Sequence, residues 1–245
     1  MSFISACCNR PPAKIEYTPK GETFHLENGL RCYITGSKDS KAAIIHSYDI
    51  FNFHPNCYHA ADIFAEAGFR VIVPDMLRDH PVKLEMLGDR LKIMGRIIET
   101  GMFPNLEEDY KSVKEYLNGE GFDKIFLTGY CWGAKMCMAL TASDPSYLGG
   151  ALFHPSLLDE NDFKNAQAPM IIQPSKEDPD FTEWYQELIA KPFGKYCYLQ
   201  IYDDMVHGFT SGRGEWYIPH VKKRADEAFN NAIRGFNRIL ADKSQ

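Results

Sequence analysis

Residues 124–135, Lys-Ile-Phe-Leu-Thr-Gly-Tyr-Cys-Trp-Gly-Ala-Lys, restrict the fold more than any other segment of this 245-residue chain. Lys124–Thr128 reads as a buried strand and Trp132–Ala142 as a helix. Only Gly129, Tyr130 and Cys131 stand between them, so the chain must turn sharply and hold its central residue in a strained pose. The glycines two before and two after Cys131 have a steric reason: side chains there would strike the neighbouring strand and helix. The start of the helix then aims backbone N–H groups at Cys131, where they favour a thiolate and a developing oxyanion. Strand, Gly-x-Cys-x-Gly and helix together form a nucleophile elbow, with cysteine in place of the usual serine.

The flanking pattern suits such an elbow. Thr23–Glu27 and Arg31–Thr35 are β-prone and separated by Asn28-Gly29, a strong hairpin signal. Strands follow at Ala42–Ser47, Phe69–Pro74, Ala151–His154, Met170–Gln173 and Tyr196–Tyr202. Helices are expected over Asn56–Ala67, Val82–Thr100, Leu106–Leu117 and Ile218–Leu240. The last would bury Val221, Ala225, Ala228, Phe229, Ala232, Phe236 and Leu240 along one side. An antiparallel start followed by strand–helix alternation implies a mostly parallel sheet with helices on both faces, the α/β-hydrolase architecture. The length fits one domain over residues 1–245, with residues 1–14 expected as a poorly ordered or surface-draped lead-in.

In that architecture the nucleophile, acid and histidine follow one another along the chain. His207, in the loop between the last strand and the last helix, is the expected base; His154 and His220 read as structural. Asp178, after Met170–Gln173, is the expected acid, with Asp180 and Glu177 as alternatives. The backbone N–H groups of Ile50 and Trp132 would form the oxyanion hole. Phe51, Phe53 and Trp132 flank this site and could line an apolar pocket.

With a net charge of −6, the chain lacks the basic footprint of a nucleic-acid binder. Seven irregularly spaced cysteines without a CxxC pair suggest free thiols in a reducing compartment. No secretory signal is expected at the N-terminus, and no apolar run is long enough to span a bilayer. Cys7 and Cys8 have Ser rather than Gly at position 2, so the second signal of a stable lipid anchor is missing. The expectation is therefore a cytoplasmic protein, monomer or homodimer, acting on a small molecule without a nucleic-acid or membrane partner. His54, Cys57 and His59 lack the second ligand pair of a structural zinc site, so neither metal nor cofactor is expected. Cys137, six residues past Cys131, should be core.

The sequence resembles the dienelactone hydrolase family (carboxymethylenebutenolidase-like proteins), roughly from the first strands to the last helix. Four segments carry the resemblance: Tyr48-Asp49-Ile50-Phe51, Val73-Pro74-Asp75, Gly129-Tyr130-Cys131-Trp132-Gly133 and His207-Gly208-Phe209. It implies a Cys131–Asp178–His207 triad acting on esters or lactones through an acyl-enzyme. It also implies that Asp49, one methylene shorter than the family's Glu, gates the resting thiol. Arg78, displaced by one residue, and Arg213, six residues past His207, fall near the family's substrate-carboxylate arginines, with Phe51 beside the oxyanion segment. A non-hydrolytic binding protein and a redox sensor built on Cys131 are the competing readings.

Overall fold

The computed structural model describes residues 10–78, 80 and 82–243. Eight strands form one sheet in the order β1-β2-β4-β3-β5-β6-β7-β8. They are β1 (Glu22–His25), β2 (Arg31–Thr35), β3 (Ala43–Ser47), β4 (Arg70–Pro74), β5 (Ile125–Tyr130), β6 (Gly150–Phe153), β7 (Met170–Gln173) and β8 (Tyr198–Leu199). The β1–β2 and β2–β4 pairs are antiparallel and every other pair is parallel. Asn28-Gly29 makes the expected hairpin, with Gly29 at φ 78°, a conformation that costs glycine nothing.

Parallel neighbours require long crossovers, and these are helical. The helices are α1 (Pro55–Glu66), α2 (Arg90–Thr100), α3 (Phe103–Gly119), α4 (Trp132–Ser143), α5 (Glu160–Asn165), α6 (Thr182–Ile189) and α7 (Pro219–Lys243). Every residue of β3 to β7 is buried, as expected where helices cover both faces of a sheet. On one face, Phe64 of α1 meets Phe229 and Phe236 of α7, and Phe236 stacks at 4.3 Å on Phe126 of β5. Burying such a ring contributes about 1.5–3 kcal/mol. On α7, Ile239 rather than Leu240 is the fully buried residue of the final turn.

Three expectations need correction. The helix expected over 82–100 is broken: Leu84–Met86 is a 3-10 turn, Gly88 is left-handed at φ 88°, and Asp89 caps a new helix through the Lys92 N–H. The strand expected over 196–202 shrinks to Tyr198–Leu199, because Gly194–Tyr196 is a 3-10 turn and only an isolated Ser175–Tyr202 bridge follows. Helices α5 and α6 were not foreseen, although Asp159 and Asp162 form a capping box at the start of α5.

Register decides where the site lies. Ser47, Gly129, Leu152 and Ile172 stand in one row across β3, β5, β6 and β7. The residues that follow each strand therefore emerge together at the carboxyl edge of the sheet, where open α/β sheets bind ligands. Of the lead-in, residues 1–9, including Cys7 and Cys8, lie outside the described residues. Ala13 N–H donates to the Gly212 carbonyl at 2.8 Å, against the loop that carries His207. Among the described residues, no helix is long and apolar enough to cross a membrane.

Candidate active site

Cys131 stands between β5 and α4 with φ 52° and ψ −113°, a conformation that a non-glycine residue adopts only under constraint. Its N–H donates to the Phe153 carbonyl at 3.1 Å, and its own carbonyl accepts from Ser156 N–H at 3.0 Å. The two elbow glycines are sterically enforced. A Cβ on Gly129 would lie 2.4 Å from the Gly133 carbonyl oxygen, and one on Gly133 would lie 2.2 Å from that of Ser47. Cys137 is buried beneath the turn.

The structure brings the expected acid and base, Asp178 and His207, into contact. His207 Nδ1 lies 2.5 Å from Asp178 Oδ1, and both side chains are 2% exposed. Asp178 Oδ2 accepts from Ser175 N–H at 2.6 Å, which holds the carboxylate in place. Burial disfavours the charged imidazolium, but the charges of Asp178 and Cys131 outweigh it and raise the His207 pKa to about 10. Glu177 and Asp180, the alternative acids, do other work. Glu177 accepts the backbone N–H of His207 at 2.9 Å, and the exposed Asp180 accepts Thr182 N–H at 2.9 Å.

Trp132 is the first residue of α4, where a backbone N–H has no acceptor within its own helix. Ile50 is buried on the loop that follows β3. The carboxylate of Asp49 is turned to the histidine loop: Oδ2 accepts from Ser211 Oγ at 2.5 Å and Gly212 N–H at 3.0 Å, and Oδ1 accepts from Phe51 N–H at 2.8 Å. Arg213 is also buried there, its guanidinium donating to the Arg10 carbonyl and lying 5.0 Å from the centre of the Phe51 ring. Arg78 is not drawn into this group. It is exposed and pairs with Asp109 of α3 at 2.6 Å. Trp132 and Phe53 also turn elsewhere, the indole N–H to the Gly101 carbonyl and the Phe53 ring to Tyr58 and Arg31.

Two residues of the loop after β6 lie beside these groups. Ser156 Oγ lies 3.6 Å from the Cys131 sulfur, within reach of the S–H. His154, read from sequence as structural, packs edge-on against His207 with ring centroids 4.8 Å apart, and its Nε2 lies 3.1 Å from Ser211 Oγ. Burial, the nearby His207 and Arg213 hold its pKa well below the usual imidazole value. Both residues follow a strand at the carboxyl edge of the sheet, and that position was the signal available in the sequence. The other histidines disperse: His220 pairs with Asp204 on the surface, His54 caps α1 through Asn56 N–H, and His59 stacks on Tyr17. Among the described residues, no group of three or more His, Cys, Asp or Glu is placed to hold a metal.

A sequence model of the dienelactone hydrolase family matches residues 30–240. An uncharacterized AIM2 family protein of Schizosaccharomyces pombe is 27% identical over 97% of this chain and 100% of its own length. The human carboxymethylenebutenolidase homolog is 24% identical, covering 93% of this chain and 94% of that protein. A crystal structure of a putative dienelactone hydrolase from Klebsiella pneumoniae superposes with a TM-score of 0.64 at 16% identity, over 86% of this chain and 95% of the other. At that identity the superposition speaks for the shared fold.

Proposed function

The chain belongs to the dienelactone hydrolase family, and from that membership we propose that it is a thiol-dependent hydrolase of carboxylic esters or lactones, working through a Cys131–His207–Asp178 triad. One observation carries the reading. A buried imidazole, paired with a buried carboxylate and electrostatically coupled to a cysteine, stands beside that cysteine's strained elbow at a helix start. A cysteine kept only for packing needs neither the strain nor the paired acid and base.

In the proposed reaction His207 takes the proton from the Cys131 thiol. The sulfur then bonds to the substrate carbonyl carbon, and the carbonyl electrons move onto oxygen, where the Ile50 and Trp132 N–H groups receive the oxyanion. Collapse re-forms the C=O bond and breaks the C–O bond to the alkoxide, which takes the proton held by His207. Water, deprotonated by the same imidazole, attacks the thioester and expels the thiolate. Asp178 fixes the imidazole tautomer and stabilises its charged form throughout. Esters and lactones suit this site better than amides, whose amine leaving group needs stronger acid assistance.

Phe51 and Arg213 adjoin the histidine loop and are the proposed substrate contacts. The substrate is a small molecule, and the protein works as a monomer or homodimer. Buried free thiols at Cys32, Cys57 and Cys137 fit a reducing, cytoplasmic compartment.

The test is hydrolysis of p-nitrophenyl acetate and a small lactone panel by wild type, Cys131→Ala and Cys131→Ser. Loss of turnover in Cys131→Ala supports thiol acyl chemistry. Unchanged turnover refutes it. Alkylation at Cys131 without turnover of any ester would favour a redox-sensing or binding protein instead.

A further inference from the structure

The loop that follows β6 is held against the nucleophile by the nucleophile's own backbone. Cys131 N–H donates to the Phe153 carbonyl, and Ser156 N–H donates back to the Cys131 carbonyl at 3.0 Å. His154 at φ 37° and Leu157 at φ 65° are both left-handed, so two constrained residues bracket Pro155 and Ser156. His154 N–H is tied in turn to the Gln173 carbonyl of β7 at 2.9 Å. A loop made for connection alone needs no such bracketing. Its result is a buried hydroxyl, Ser156 being 3% exposed, fixed 3.6 Å from the Cys131 sulfur.

We propose that Ser156 is a further catalytic residue, whose hydroxyl serves the Cys131 sulfur in both of its charge states. A hydroxyl can accept from an S–H and, after rotating about its C–O bond, donate to a thiolate. Holding the resting thiol fixes its rotamer. Donating to the thiolate stabilises the charged form, and a hydrogen bond to an ionised group is worth more than one to a neutral group. The carboxylate of Asp49, which the family resemblance assigned to the thiol, is occupied with Ser211, Gly212 and Phe51. Ser156 has the position and the chemistry to take that place. No atom is gained or lost: His207 still receives the thiol proton, and Ser156 keeps its own.

This role rests on Cys131 being the nucleophile, so the readout must not depend on turnover. The experiment is alkylation of the intact chain by iodoacetamide from pH 5 to pH 10, with the Cys131 peptide followed by mass spectrometry. Burial raises the pKa of the Cys32, Cys57 and Cys137 thiols, and the peptide readout separates them from Cys131. The titratable and charged groups around the site are His207 with Asp178, Glu177 on the His207 backbone N–H and paired with Arg10, His154 with Arg213 nearby, and Asp49 across Ser211. All are unchanged in Ser156→Ala and Ser156→Thr.

Ser156→Ala should move the alkylation midpoint up by about one pH unit, equivalent to about tenfold slower alkylation below it. Ser156→Thr, which keeps the hydroxyl, should return the midpoint toward wild type. A midpoint unmoved in Ser156→Ala, or moved equally in both variants, would overturn the proposal. If the midpoint shifts as expected while no ester is turned over, Ser156 tunes the thiol as proposed and the hydrolase reading is what fails.

Discussion

His207 and Asp178 meet through Nδ1 and Oδ1 at 2.5 Å, each side chain 2% exposed, although 29 residues of chain separate them. Asp180, only two residues further on, is exposed and accepts the Thr182 N–H at the start of α6. Asp178→Asn should therefore lower kcat/KM for p-nitrophenyl acetate by on the order of 10³–10⁴-fold, because an amide stabilises neither the reactive tautomer nor the imidazolium. Asp180→Asn should leave the same value within about twofold, as expected for an exposed side chain that makes one local hydrogen bond away from His207.

The elbow glycines should be intolerant where another glycine is not. A Cβ on Gly133 would lie 2.2 Å from the Ser47 carbonyl oxygen and 2.7 Å from that of Tyr48, and backbone atoms cannot yield as a side chain does. Gly133→Ala should lose about 1–3 kcal/mol or more of stability in urea unfolding, together with the proposed esterase activity. At Gly95 in α2 nothing lies within 4 Å of a new Cβ. Gly95→Ala should stabilise the protein by about 0.5–1 kcal/mol, because a helix-interior alanine loses less backbone entropy on folding.

Ser211 joins three parts of the site. Its hydroxyl donates to Asp49 at 2.5 Å and lies 3.1 Å from His154 Nε2, and the His154 ring packs on His207. Ser211→Ala should cost about 1–3 kcal/mol, the penalty for leaving buried polar partners unmatched. The urea midpoint should fall with the slope unchanged. A shift of less than about 0.3 kcal/mol would mean that water replaces the hydroxyl.

Acid should find out His46. Its ring is buried against Tyr130, and burial alone lowers its pKa to about 3. A histidine depressed in the native state binds fewer protons there than in the unfolded chain between about pH 3 and pH 6.5. Its neutral form therefore adds full stability above about pH 6.5, and that stability is lost as the pH falls toward 3. In His46→Phe the melting temperature should decline less steeply than in wild type across that window. Parallel declines would show that other groups govern the acid limb.

Much of this architecture is written in local sequence. Asn28-Gly29 announces the β1–β2 hairpin and Gly68 the end of α1. The run from Lys124 to Lys135 carries the elbow in its residue types, since only glycine fits two residues before and two residues after Cys131. Other signals are weaker than the tertiary setting. Val82–Thr100 shows helical periodicity, yet Gly88 turns left-handed and Asp89 starts a new helix there. Tyr196–Tyr202 is apolar enough for a long strand, but it is an edge segment and only two of its residues pair with β7.

Residue type and order along the chain pointed to Cys131, His207 and an acid among Glu177, Asp178 and Asp180 as candidates, because an elbow needs its glycines and each candidate position follows a particular strand. Which polar side chains face one another was decided only by the fold. The register that aligns Ser47, Gly129, Leu152 and Ile172 brings four loops to one edge of the sheet. Asp49 thereby meets Ser211 across 162 residues of chain, and Ser156 meets Cys131 across 25. No local pattern records such pairings. They depend on strand order and on the direction each loop takes, and those follow from packing the whole sheet against its helices.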